Sequence, residues 1–240
     1  MKRAILFLCI GLFIAFVIQP NLTDASESKE TKVPEREVSA LQTNDDLLAD
    51  YSESKAKICI DAALGGSETG YTSNGQMAEK DLNLALAKAI GEKLQVAGYE
   101  VVYTREDDNV ETYDSEDITA QKRLQMATLM EADYLISVQM SSSSNPLVNG
   151  FSIFTQPNDN IRSIAQTIAD NLSDLNFSSF EGLDDDHYAN FPILNDQSMP
   201  SIIIDFGYMS NTNDYTRLSD ETYQEKIGQA VAKAFLEQIH

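Results

Sequence analysis

The residues able to do chemistry in this 240-residue chain stand at the ends of apolar runs, and most of them are carboxylates. Asp205 lies inside Ser201 to Phe206 (SIIIDF), a run that otherwise reads as a fully buried strand. Burying an unpaired charge costs several kcal/mol, so a strand that keeps one carries it to a pocket or to a partner. Gly207 to Asn211 follow as a turn, which places the carboxylate near the carboxyl end of its strand, where open α/β sheets put their ligands. Such a group can serve as a general base, or it can be a buried acid paired with backbone amides or with one of two candidate cations, Arg105 and Arg123. Two further strand ends belong beside it: Asp61 to Gly66, and Val138-Gln139-Met140. Glu79 opens a helix next to them.

Other groups are less promising. Ser141 to Ser144 could hold a nucleophile only with a base beside it, and neither histidine, His187 or His240, lies in a motif. A loop is the better reading of that run. Asp184-Asp185-Asp186-His187 could hold a hard cation through carboxylates, although acidic triplets are more often solvated loops. The cysteines are Cys9 and Cys59, which leaves the domain without an internal disulfide, and Cys59 reads as a small apolar residue of its strand.

Short apolar runs alternating with amphipathic stretches must position these groups. Strands are expected at Lys57 to Ala62, Tyr99 to Thr104, Tyr134 to Met140, Gly150 to Thr155 and around Asp205. The first helix begins near Glu79, repeats Leu82, Leu86, Ile90 and Leu94 at helical spacing, and stops at Gly98. A second runs from about Ile118 to Ala132, a third carries Ile161, Ile164, Ile168 and Leu172 on one face, and the last spans about Ser219 to Ile239. Residues 177–197 read as irregular and acidic. The expected fold is α/β, a single three-layer α/β/α domain with a mostly parallel central sheet.

From Lys57 to Gln238 the chain closely resembles the zinc-dependent N-acetylmuramoyl-L-alanine amidases of bacterial cell walls, the amidase_3 type. Asp61 to Gly70 fits that family's IDxGHGGxDxG element, and Ala78 to Leu84 fits its xEKDxxL helix start. Thr104-Arg105 fits TR, Arg123 with Ala127 fits RxxxA, and Ser137-Val138-Gln139 occupies the place of S-I-H. Met199-Pro200, then Ile203 to Asn211, fit MP..LVELGFLSN, and Asp214 with Leu218 continue it.

The resemblance assigns roles to four positions. In the family, the histidine of GHGG, the glutamate of xEKD and the histidine of SIH bind zinc, and the glutamate of VELGF works on the metal-bound water. Here those positions are Leu64, Glu79, Gln139 and Asp205. Leu64 has no lone pair, and an amide oxygen is a poor ligand for an ion that prefers nitrogen and sulfur. Zinc sites bind with about 10–16 kcal/mol, so losing two of three protein ligands removes ~5 kcal/mol or more. Asp205 is also one methylene shorter than glutamate, and a base misplaced by about 1 Å can cost ~100-fold in rate.

The resemblance therefore implies an N-acetylmuramoyl-L-alanine amidase-like domain acting at bacterial peptidoglycan, with no cofactor expected and catalysis lost, hence a cell-wall-binding or regulatory module. Asp205 is its degenerate general-base position, and Glu79, Gln139, Leu64, Arg105 and Arg123 line a remnant groove in which Glu79 either contacts ligand or stabilises its helix N-terminus. One alternative is an active amidase cleaving the muramoyl-L-alanine amide with an atypical metal site that recruits His187. Another is a structural or regulatory partner in a cell-envelope complex.

Charge and the N-terminus bound where this happens. Lys and Arg number 17 against 38 Asp and Glu, a formal charge of −21, and a field of that sign disfavours nucleic acid and anionic lipid. Lys2 and Arg3 precede an apolar run from Ala4 to Ile18 with no further charge until Asp24, the layout of an export signal. Residues 1–25 are expected to be a signal peptide or a membrane anchor, 26–55 a polar linker, and 56–240 the amidase-like domain. Any membrane association would run through the N-terminal segment alone. Partners are then peptidoglycan, its stem peptide or another envelope protein.

Overall fold

Alternation along three apolar strands builds the molecule outward from the centre of its sheet. The computed structural model describes residues 55–239 apart from 74, 112 and 114. The segment expected to be an export signal or anchor, Cys9, His240 and the expected linker up to residue 54 lie outside the described residues. Six strands, β1 (Lys55–Ala62), β2 (Tyr99–Tyr103), β3 (Tyr134–Ser141), β4 (Phe151–Thr155), β5 (Phe180–Asp184) and β6 (Ser201–Tyr208), form one sheet in the order β2-β1-β3-β6-β4-β5. Every neighbouring pair is parallel except β4 with β6. The sheet is thus mostly parallel, as the alternation of apolar runs and helices implies.

Side chains at every second position share a face, and the parity sorts the core. Ile58, Ile60, Ile136, Val138, Ile202, Ile204 and Phe206 pack into the larger cluster beneath α1 (Glu79–Val96), α3 (Asp159–Asp174) and α5 (Glu221–Gln238). Cys59, Leu135 and Ile203, of opposite parity, meet Leu124 and Ala127 of α2 (Glu116–Leu129) and the 3-10 turn Pro192–Leu194. Helices therefore cover both faces, and α2 covers one of them nearly alone. Cys59 is fully buried there, and burial pushes its thiol up, so it packs as an apolar residue.

Two elements differ from expectation. Residues 177–197, read as irregular, contain β5 and the 3-10 turns Tyr188–Asn190 and Pro192–Leu194. β5 is an edge strand paired only with β4 and half open to water, so its residues need not alternate in polarity. The short helix α4 (Thr212–Leu218) follows β6, capped by the Asn211 side chain, which accepts from the amides of Asn213 and Asp214. Seven residues are too few to show a helical period.

Candidate functional site

The parity that sends Cys59, Leu135 and Ile203 toward α2 sends Asp61, Ser137, Gln139 and Asp205 the same way at the carboxyl ends of β1, β3 and β6. Register sets their height. Asp61 pairs with Ser137, and Gln139 pairs with Asp205. Asp61 is fully buried and fully satisfied: it accepts from Thr104 Oγ1 at 2.6 Å, Ser137 Oγ at 2.7 Å and Arg123 Nε at 2.8 Å. These bonds tie the ends of three strands to α2 and hold open a cleft of about 290 Å³. Leu64, Glu79, Arg123, Gln139 and Asp205 all line it.

Leu64 has φ +67°, a left-handed backbone that costs a leucine ~1–2 kcal/mol. Its δ-methyl and the Glu79 carboxylate both crowd Gly70, where a side chain has no room and φ is +62°. The hydrocarbon of Leu64 thus fills space against the carboxylate. Glu79 opens α1 without help from Ala78, which provides no side-chain cap. Its carboxylate accepts from the Tyr71 amide at 2.9 Å, while its own amide donates to the Tyr71 carbonyl at 3.0 Å. Burial pushes its carboxyl up and the Tyr71 amide draws it partly back. A negative charge at a helix N-terminus is also favoured by the macrodipole, so Glu79 stabilises its helix and faces the cleft at once.

Gln139 is half-buried, and its amide makes no hydrogen bond among the described residues. Asp205 is 8% exposed, accepts from Ser141 Oγ at 2.5 Å and from the Gly207 amide at 3.2 Å, and is pushed up to about 7, chiefly by burial. No cation pairs with it among the described residues. Neither expected partner is available: Arg123 is bound to Asp61, and Arg105 donates to the carbonyls of Ala62, Ala63, Lys80 and Asp107. Arg105 does not reach this cleft but lines a neighbouring cavity, stapling the end of β1 to the start of α1. Ser141, read from sequence as loop, is the last residue of β3 and the partner of Asp205. Only its place one turn of the pleat beyond Gln139 could have suggested that.

His187 lies apart from the cleft wall, its ring nitrogen 2.8 Å from Asp184, and Asp185 pairs with Arg162. The acidic triplet thus engages its own neighbours. At the three positions to which the family resemblance assigns metal binding, the cleft presents a hydrocarbon, one carboxylate held by a backbone amide and one carboxamide, with no imidazole or thiolate among its described lining residues.

Comparison with known proteins places this geometry among relatives. Residues 58–237 match the family model described as N-acetylmuramoyl-L-alanine amidase. YqiI of Bacillus subtilis (strain 168) is 28% identical over 177 residues, covering 72% of this chain and 80% of that protein. The probable cell wall amidase LytH of Staphylococcus aureus is 26% identical over 201 residues, 81% of this chain but only 64% of its own length. Among solved structures, the N-acetylmuramoyl-L-alanine amidase AmiC2 of Nostoc punctiforme superposes with a TM-score of 0.65 at 27% identity, over 76% of this chain and 96% of that one. The N-acetylmuramoyl-L-alanine amidase of Clostridium difficile 630 does so at 0.67 and 26%, over 77% and 96%.

Proposed function

This chain belongs to the N-acetylmuramoyl-L-alanine amidase family, and from that premise we propose that it is a non-catalytic peptidoglycan-binding or regulatory module of the cell envelope. One observation carries the reading. The four positions to which the family resemblance assigns metal binding and catalysis line one cleft, and they are occupied by Leu64, Glu79, Gln139 and Asp205. The route to amide hydrolysis that the family resemblance implies uses a zinc-activated water, and of the three positions it assigns to zinc only Glu79 carries a ligand of the family's type. Asp205, near neutrality in its protonation, can exchange a proton but has nothing beside it to polarise a carbonyl.

Binding asks less of the same cleft. Its walls are held by the Asp61 network and by Arg105, neither of which depends on a metal, so the groove keeps its shape without one. A polar floor of Gln139, Glu79 and Asp205 beside Phe191 and Ile193 suits an amide-rich ligand with aliphatic side chains, as a stem peptide is. The basic and apolar start of the sequence supports export, with the module either released or anchored outside the membrane.

The test is co-sedimentation of the purified protein with peptidoglycan sacculi, with soluble muropeptides and metal content measured in parallel. Sedimentation without muropeptide release and without stoichiometric zinc is expected. Released muropeptides would sink the non-catalytic reading, and failure to sediment would sink the binding one.

A further inference from the structure

A second cavity, about 390 Å³, lies on the other side of Leu64 and Arg123 from the cleft, since both residues line both spaces. Its chemistry is different. The cleft is walled by Glu68, Glu79, Glu116, Asp117 and Asp205, whereas the second cavity has Arg105, Arg123 and Lys122 among its lining residues.

The state of each cation decides what it can do. Arg105 is 5% exposed and spends its donors on carbonyls, so its charge is fixed in place with no direct ion pair among the described residues. The Arg123 side chain is 13% exposed, and Asp61 takes only its Nε. Among the described residues its two terminal nitrogens have no acceptor. Lys122 has no ion pair among the described residues: its ammonium contacts Gln125 Oε1 at 3.3 Å and stands 6.0 Å from the centre of the Tyr113 ring. Two acids also line the cavity, but both are exposed and engaged. Asp107 accepts from the Asn109 amide, and Glu111 accepts from the Tyr113 hydroxyl. Asp61 offsets one of the two buried guanidinium charges, so the positive charge left at the wall is the balance of the Arg105 and Arg123 pair, joined by the Lys122 ammonium at the exposed side. Val110, Met126 and Leu64 supply apolar wall.

We propose that this cavity is a carboxylate-binding subsite for a short peptide, in which the free edge of the Arg123 guanidinium and the Lys122 ammonium hold the carboxylate and Val110 and Met126 pack its aliphatic part. A guanidinium edge with two parallel N–H donors matches a carboxylate in a bidentate geometry. Arg123 stands in the partition, so one ligand can occupy both spaces, its amide in the cleft and its carboxylate beyond. The identity of the peptide as a peptidoglycan stem rests on the proposed function; the charge preference does not. In a chain of formal charge −21, long-range repulsion opposes an anionic ligand, so any preference for the carboxylate form must come from local donors.

The experiment is calorimetric titration of the full chain with N-acetyl-alanyl-glutamate and with its diamide. The free acid is expected to bind about tenfold tighter or more, as a charge-assisted pair implies. Arg123→Gln strips Asp61 of its guanidinium and can prevent folding, so the decisive variants are Lys122→Gln and Met126→Glu, both at exposed positions of α2. Lys122→Gln should lower affinity for the acid by about threefold to tenfold and leave the diamide within about twofold, whereas Met126→Glu, which also removes apolar wall, should weaken both ligands and the acid by about threefold or more beyond the diamide. Equal binding of acid and diamide, binding of neither, or no change in the two variants would overturn the subsite. Sacculus sedimentation run on the same preparations separates the two ideas: sedimentation without a carboxylate preference removes the subsite and leaves the proposed function, and the reverse pattern leaves the subsite and removes the proposed function.

Discussion

Asp61 and Asp205 are carboxylates on the same face of strands one apart, and their surroundings treat them in opposite ways. Asp61 has three donors, one of them a guanidinium, and ties strand ends to α2. Removing it should leave Arg123 as an uncompensated, mostly buried charge, so Asp61→Ala is expected to cost ~3–5 kcal/mol in urea unfolding, as for a broken buried pair. Asp205 has one hydroxyl and one amide, which is too little to hold a buried charge at its ordinary value. Leu64 holds a left-handed backbone, and its δ-methyl and the Glu79 carboxylate both crowd Gly70. If these positions correspond to the family's zinc site, Leu64→His, Gln139→His and Asp205→Glu combined should take up zinc at one per chain by elemental analysis. A folded triple variant that stays metal-free would show the correspondence to be wrong. The types of these residues were legible in the sequence. Their hydrogen bonds were not, because Ser137, Ser141 and Thr104 carry no signal until pairing brings them alongside an acid.

Elements position the site by two devices, strand parity and close helix packing. Parity can be read from sequence once the strands are known, and it places Asp61, Gln139 and Asp205 on one face without any coordinates. It could not say which face, since that depends on where the helices return. Helix packing shows at Gly228 of α5, where a side chain would meet the Ala89 carbonyl of α1 at 2.5 Å. Backbone cannot step aside as a side chain can, so the two helices must separate to admit a methyl group. Gly228→Ala is expected to lower the urea midpoint by the equivalent of ~1–3 kcal/mol, and an unchanged midpoint would show that α5 slides freely on α1. Long helices such as α1 and α5 were legible because burial of one face repeats over several turns. β5 and α4 were not, one because an edge strand has little to bury and the other because it is stabilised by a cap rather than by a periodic face.

Across the whole molecule, protonation couples the site to stability. A carboxyl pushed up to about 7 in the folded chain from its ordinary 3.8 holds its proton more tightly folded than unfolded. Between those values the unfolded chain has released a proton that the folded chain keeps, so this contribution is full at low pH and is lost as pH rises toward 7. Glu79, also pushed up by burial, adds in the same direction. Unfolding free energy is therefore expected to fall between about pH 4 and about pH 7, with a shallower fall in Asp205→Asn; equal slopes would show that Asp205 ionises freely in the folded chain. By itself the sequence determined the family and the alternation of strands and helices, because these are properties of residue identity and spacing. Only the tertiary structure decided that Arg123 pairs with Asp61 rather than Asp205, that Arg105 faces a different cavity, and that Arg123 lines both spaces. Partners separated by 62 residues, as Arg123 and Asp61 are, meet through sheet register and helix return, and no local pattern in the chain encodes which of several acids a given cation will reach.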